Sequence, residues 1–140
     1  MIPDNAIYIL DSYAVMSYLG DEPGRARLEE LLSKAKAEHC TLLLCMINFG
    51  EILYMTERRR GLVKAQSVQG LLESFPIEFI EASRNLILDA AHIRANYALS
   101  YAGAFVVALA QHEGGIILTG DPEFETVEEL VAVEWLEKKE

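Results

Sequence analysis

Three features of the sequence predict an α/β fold of three layers, a central parallel sheet of four to five strands flanked by helices. Short apolar runs alternate with stretches of helical period, the runs are apolar at nearly every position, and no repeat, low-complexity segment or linker interrupts the alternation. Strand–helix alternation is the grammar of a parallel sheet with helices on both faces. Continuously apolar strands agree with it, because both faces of such a sheet are covered. A chain of 140 residues suits one domain, 1–140, and is long enough to bury a core without staples.

The elements follow in order. Ile7-Tyr8-Ile9-Leu10 is a short buried strand ending at Asp11. Residues 13–19 form a short helix, broken near Gly20 and Pro23. Residues 24–38 form another, with Ala26, Leu28, Leu31, Leu32 and Ala35 at helical spacing. Thr41-Leu42-Leu43-Leu44-Cys45 is the second strand. Asn48 is placed to cap the next helix, and Gly61 to stop it. Residues 62–75 make a further helix, ended near Pro76, and Ile77-Glu78-Phe79-Ile80 a third strand. Ser83 caps a helix through Tyr97; Ser100 caps one through His112, which Gly114-Gly115 end. Ile116-Ile117-Leu118 is the fourth strand, running into Thr119-Gly120-Asp121, and residues 130–135 are the fifth. Disorder is expected only in the tail, residues 137–140.

Composition narrows the function classes. Apolar residues make up 51% and charged residues 24%, ordinary globular usage. No run of eighteen apolar residues occurs, so no membrane span is expected, and Met1-Ile2-Pro3-Asp4-Asn5 lacks a signal peptide's basic region; a cytoplasmic location is the expectation. The net charge of −10 argues against non-specific nucleic-acid binding over the whole surface. It leaves room for a local patch, and Arg58, Arg59, Arg60 and Lys64 fall close together. Cys40 and Cys45 sit five apart in an extended run, on opposite faces, and read as reduced core cysteines. His39, His92 and His112 are scattered and read as surface or packing residues. Tyr97 and Tyr101, four apart, read as a packing pair. Ala98, Ala102 and Ala108 suggest close helix contacts of the kind found at a dimer interface.

Three acids stand out. Asp11 and Asp121 each follow a buried strand, and open parallel sheets bind ligands beyond the carboxyl ends of their strands. Either alone serves equally well as a cap for the next helix; two at once favour convergence. Glu51 lies one turn into a helix among mostly apolar neighbours, where a carboxylate needs a partner or a metal. Its alternative is an acid favoured by the helix dipole, at a capping-box spacing from Asn48.

Four segments carry a resemblance. Ile9-Leu10-Asp11-Ser12, Ile47-Asn48-Phe49-Gly50-Glu51, the run from Leu99-Ser100-Tyr101-Ala102-Gly103 through Ala110, and Leu118-Thr119-Gly120-Asp121-Pro122-Glu123-Phe124 together resemble the signature segments of PIN domains. Among these the chain is most similar to VapC-type toxins of toxin–antitoxin pairs. The resemblance implies a PIN-like three-layer fold and a metal-dependent endoribonuclease using Mg²⁺ or Mn²⁺. Its metal-binding and catalytic acids carry over to Asp11, Glu51 and Asp121, with Ser12 and Thr119 as nearby polar groups that orient the acids or the attacking water. It also implies an RNA substrate, a cognate VapB-like antitoxin and a homodimer. Arg58, Arg59, Arg60 and Lys64 are candidates for contact with RNA phosphates or an acidic antitoxin segment; the plain alternative is a solvated helix face.

One position departs from the pattern. The family places an acid where this chain has Gly103, and Asn96 and Glu113 lie too far along to replace it. Hydrolysis of a phosphodiester calls for an activated water and stabilised charge, which hard divalent cations held by carboxylates supply. Losing one carboxylate should loosen the metal and misplace the water, with rate losses of roughly 10²-fold for about 1 Å. Reduced or abolished cleavage is therefore expected. The alternative is a non-catalytic module for dimerisation, antitoxin or RNA binding. A receiver-like phospho-acceptor domain wants an acidic pair early and a Lys after a late strand; Ile7-Tyr8-Ile9-Leu10 and Thr119-Gly120-Asp121 supply neither. A haloacid-dehalogenase-like phosphatase wants an Asp where Tyr13 stands.

Overall fold

Apolar strands buried on both faces need helices above and below, and the chain provides them. The structure, a computed structural model, describes residues 5–137. Its elements in order are β1 (Ala6–Leu10), α1 (Ser12–Leu19), α2 (Arg25–Lys36), β2 (Cys40–Cys45), α3 (Met46–Arg60), α4 (Leu62–Ser74), β3 (Glu78–Ile80), α5 (Arg84–Asn96), α6 (Tyr101–Glu113), β4 (Ile116–Thr119), a 3₁₀ helix (Pro122–Val127) and β5 (Ala132–Trp135). The sheet has the order β3-β2-β1-β4-β5, and every pairing is parallel.

Successive strand residues enter opposite cores. Ile9, Leu43 and Ile117 join Leu86, Ala90 and Ile93 of α5 and the buried run Ala104 to Ala110 of α6. Tyr8, Leu10, Leu42, Leu44 and Leu118 pack against α1, α2, α3 and α4. Cys40 and Cys45 are free, buried, and divided between the two cores as the extended spacing requires. Chain order and strand order place a switch point at β1: the chain leaves it towards β2 on one side and returns as β4 on the other. The carboxyl ends of β1 and β4 are thereby neighbours, the place where such sheets bind ligands.

Local signals act where expected at several ends. Ser83 and Ser100 cap α5 and α6 through their side chains, and Gly61 (φ 91°) and Gly114 (φ 63°) terminate α3 and α6. Elsewhere the structure differs. Asn48 does not cap α3: the helix begins at Met46 behind Cys45, and Asn48 is buried inside its first turn. The tyrosine pair does not form, because Tyr97 ends α5 in extended conformation while Tyr101 opens α6 and meets Phe105 edge-on at 5.0 Å. Ala108 is wholly buried and offers no surface to a partner, whereas Ala98 is exposed between helices and Ala102 is half-buried. The 3₁₀ helix was not expected; it follows from Pro122 in the first turn behind a capping Asp121. His39 and His92 are exposed, and His112 pairs with Asp89 at 2.6 Å across α5 and α6. Residues 138–140 of the tail lie outside the described residues. Among the described residues no single helix is long and apolar enough to cross a membrane.

Candidate functional site

Asp11 leaves β1 in extended conformation and caps α1, its Oδ1 accepting from the Ala14 N–H at 2.8 Å. Its Oδ2 accepts from the Thr119 hydroxyl at 2.5 Å, across from the last residue of β4. The same hydroxyl accepts from the Asp121 N–H at 3.0 Å, and Asp121 Oδ1 accepts from the Glu123 N–H at 3.0 Å. Both capping alternatives are therefore realised together with convergence at the β1–β4 junction. Gly120 is needed within this turn, since a Cβ there would stand 2.3 Å from the Tyr13 ring.

Asp11 is 4% exposed. Burial pushes its pKa from 3.8 up to about 7, against the lowering effect of the Thr119 and Ala14 hydrogen bonds, and the nearby Asp121 and Glu123 carboxylates raise it further. A buried acid crowded by other acids is a group whose ionised form a cation would stabilise.

Glu51 is half-buried on α3 and lines a cleft of about 880 Å³. The cleft is also lined by Ser12, Asp121, Arg59, Arg60 and Lys64, so two expected acids and three expected basic residues face one cavity. Arg58 is exposed and lies outside that lining. Ser12 lines the cleft beside Asp11, while the hydroxyl that engages Asp11 belongs to Thr119. The three arginines end α3, where cations offset the carboxyl-end dipole as well.

Two residues matter here that the sequence did not single out for these roles. Asn48, 1% exposed, donates from Nδ2 to the Ala102 carbonyl at 3.1 Å and ties α3 to the first turn of α6; its Oδ1 is buried with no hydrogen-bond partner. Glu123 accepts from the Ser100 N–H at 2.6 Å and from the Ser100 hydroxyl at 3.0 Å, while Ser100 Oγ accepts from the Gly103 N–H at 3.0 Å. Gly103 is buried at that helix start, and a Cβ on it would stand 2.8 Å from Glu123 Oε2. The signal for Glu123 was present as an acid two residues after Asp121, but its position over Gly103 depends on the tertiary fold.

The donor chemistry of the site, carboxylates around an ionisable buried Asp11, fits an oxygen-seeking divalent cation, and the orphaned Asn48 amide oxygen lies on the side chain that joins α3 to α6. The side chains are not gathered as a finished cage: among the described residues no three His, Cys, Asp or Glu groups stand close enough to hold an ion.

The family model of the PIN domain matches residues 8–130. VapBC2 from Rickettsia felis, solved bound to a DNA fragment from its promoter, is similar in structure at TM-score 0.75 and 17% identity, covering 94% of this chain and 99% of that one. DNA-bound VapBC from Salmonella typhimurium is similar at TM-score 0.71 and 15% identity, over 92% of this chain and 97% of that one. Mycobacterium tuberculosis VapC20, a sarcin–ricin-loop-cleaving toxin, is similar at TM-score 0.65 and 16% identity, over 84% and 92%. A search of the curated proteins found no match.

Proposed function

The chain belongs to the PIN domain family, and from that premise we propose that it is a metal-dependent endoribonuclease, the toxin subunit of a toxin–antitoxin pair, with a site weakened at Gly103. The observation that carries this reading is the Asp11–Thr119–Asp121 chain of hydrogen bonds at the switch point, opening beside a cleft lined by Glu51 and basic residues.

Asp11, Asp121 and Glu51 would hold Mg²⁺ or Mn²⁺ in this reading. Such an ion supplies Lewis acidity at the phosphate and promotes deprotonation of water. Thr119 fixes the Asp11 carboxylate and the Asp121 backbone simultaneously, so the two acids keep a set separation. Ser12 offers a hydroxyl to the same cleft. Arg59, Arg60 and Lys64 neutralise RNA phosphates along the wall and position the strand without reading its bases. Arg58, outside the lining, contributes at longer range. Gly103 brings no carboxylate, so cleavage is slower than an acid at this position would permit.

The partners in this reading are RNA, a VapB-like antitoxin and a second copy of the chain, in the cytoplasm. Likeness to two VapBC assemblies supports the antitoxin. So does apolar surface on α3 and α4, where Val63 is 81% exposed and Tyr54 and Leu62 are about half exposed. The second reading, a non-catalytic module for dimerisation, antitoxin or RNA binding, is favoured by one observation, the lack of three gathered ligands among the described residues.

Incubation of a structured RNA with the protein and Mn²⁺, Mg²⁺ or EDTA separates the two. The nuclease reading expects slow cleavage with either metal, abolished by EDTA and by Asp11→Asn. RNA bound but never cut, by the parent or by Gly103→Asp, would leave the binding module.

A further inference from the structure

We propose that Glu123 supplies a fourth metal-facing carboxylate, beside Asp11, Glu51 and Asp121, in place of the acid missing at 103, reaching the same space from the 3₁₀ helix that a side chain on α6 would fill. This rests on the metal-site reading above. Three observations around the start of α6 support it.

The first is steric. Gly103 has no side chain, and the volume its Cβ would enter contains Glu123: Oε2 at 2.8 Å and the carboxyl carbon at 3.3 Å. A carboxylate thus stands beside the vacated position, contributed by another element. The second is anchoring. Glu123 is held by the Ser100 N–H and hydroxyl, and its own N–H is held by Asp121, so its backbone and carboxylate are tied to both flanks of the site. These bonds leave lone pairs free, because an ionised carboxylate accepts about four. The third is the orphaned Asn48 Oδ1. Its amide is fastened to the Ala102 carbonyl, the residue before Gly103, and the oxygen is buried without a hydrogen-bond partner. A buried acceptor without a donor is suited to meet a water or an ion.

The replacement is not equivalent. An Asp at 103 would project from a rigid helix turn, whereas Glu123 arrives on a longer side chain already engaged in capping α6. It would therefore hold the ion more weakly than an Asp at 103 would. A further consequence concerns Gly103→Asp: the new Cβ meets the flexible end of Glu123, so the two carboxylates compete for one space and Glu123 must swing away.

Mn²⁺ binding to the full chain, followed by calorimetry and by loss of the free-ion spin-resonance signal, tests the proposal without any assay of cleavage. The set is the parent, Glu123→Gln, Asp11→Asn, Gly103→Asp and Gly103→Asp/Glu123→Gln, each checked by thermal melt. Gln at 123 retains an acceptor for Ser100, so the cap survives. The proposal expects Glu123→Gln to weaken Mn²⁺ by at least about tenfold. It expects the double variant to recover or exceed parental affinity, which a simple folding defect would not allow. Parental affinity in Glu123→Gln, with binding lost in Asp11→Asn, would overturn the role of Glu123 and leave the metal site standing. Mn²⁺ bound by neither the parent nor Gly103→Asp would overturn the metal-site reading itself, and Glu123 with it.

Discussion

The Thr119 hydroxyl donates to Asp11 Oδ2 at 2.5 Å and accepts from the Asp121 N–H at 3.0 Å, so one buried side chain links the ends of β1 and β4. Thr119 has no exposure to solvent. Thr119→Val keeps the shape and removes both bonds. The expected result is a loss of about 1–3 kcal/mol, because a buried carboxylate and a backbone N–H lose their partner. Denaturant titration at pH 8 measures it, where Asp11 is ionised and the loss is greatest.

Asp11 governs a pH dependence whose sign is fixed. Burial places its folded value, about 7, above the ordinary 3.8, so the folded chain holds an extra proton between those limits. Its contribution is most favourable below about pH 4, declines as pH rises, and levels off as a penalty above about 7. Three pKa units correspond to roughly 4 kcal/mol at most. Metal-free Asp11→Asn should therefore gain melting temperature over the parent at pH 8 and lose that advantage at pH 4. Paired thermal melts check this; a parent whose advantage grew with pH would contradict the assignment.

Gly120 passes directly against Tyr13, with 2.3 Å left for a Cβ. Gly120→Ala must push the ring aside or distort the turn that presents Asp121. A loss of about 1–3 kcal/mol is expected, in the range for overpacking. Repeating the substitution in a Tyr13→Ala background should recover most of it, as a double-mutant cycle would report.

Arg59 and Arg60 share the cleft with Glu51 and Asp121. Alanine at both should weaken RNA binding for all sequences alike and flatten the salt dependence by about 1–2 in slope. Filter binding at several salt concentrations measures it. Arg58→Ala, outside the lining, should change binding less.

The parts of this arrangement that were legible in the sequence are those carried by local signals. Ser83, Ser100, Gly61 and Gly114 mark helix ends by chemistry that acts within one turn, and the apolar runs mark strands because both faces are covered. Asp11 and Asp121 were readable as strand-end acids once a parallel sheet was inferred. Asn48 misled because its nearest backbone offered a capping role, while a contact 54 residues away at Ala102 took the side chain instead. Glu123 could not be read from spacing: its position depends on the 3₁₀ helix turning it back onto Ser100 and on the absence of a Cβ at Gly103.

The most direct test of a metal-dependent nuclease site weakened at Gly103 is the rate of RNA cleavage in Mn²⁺ by the parent beside Gly103→Asp, each with an EDTA control. The expected result is metal-dependent cleavage that the Asp variant accelerates, by up to roughly 10²-fold if water positioning is what the glycine costs. Cleavage that persists in EDTA, at the same rate in both proteins, would contradict it.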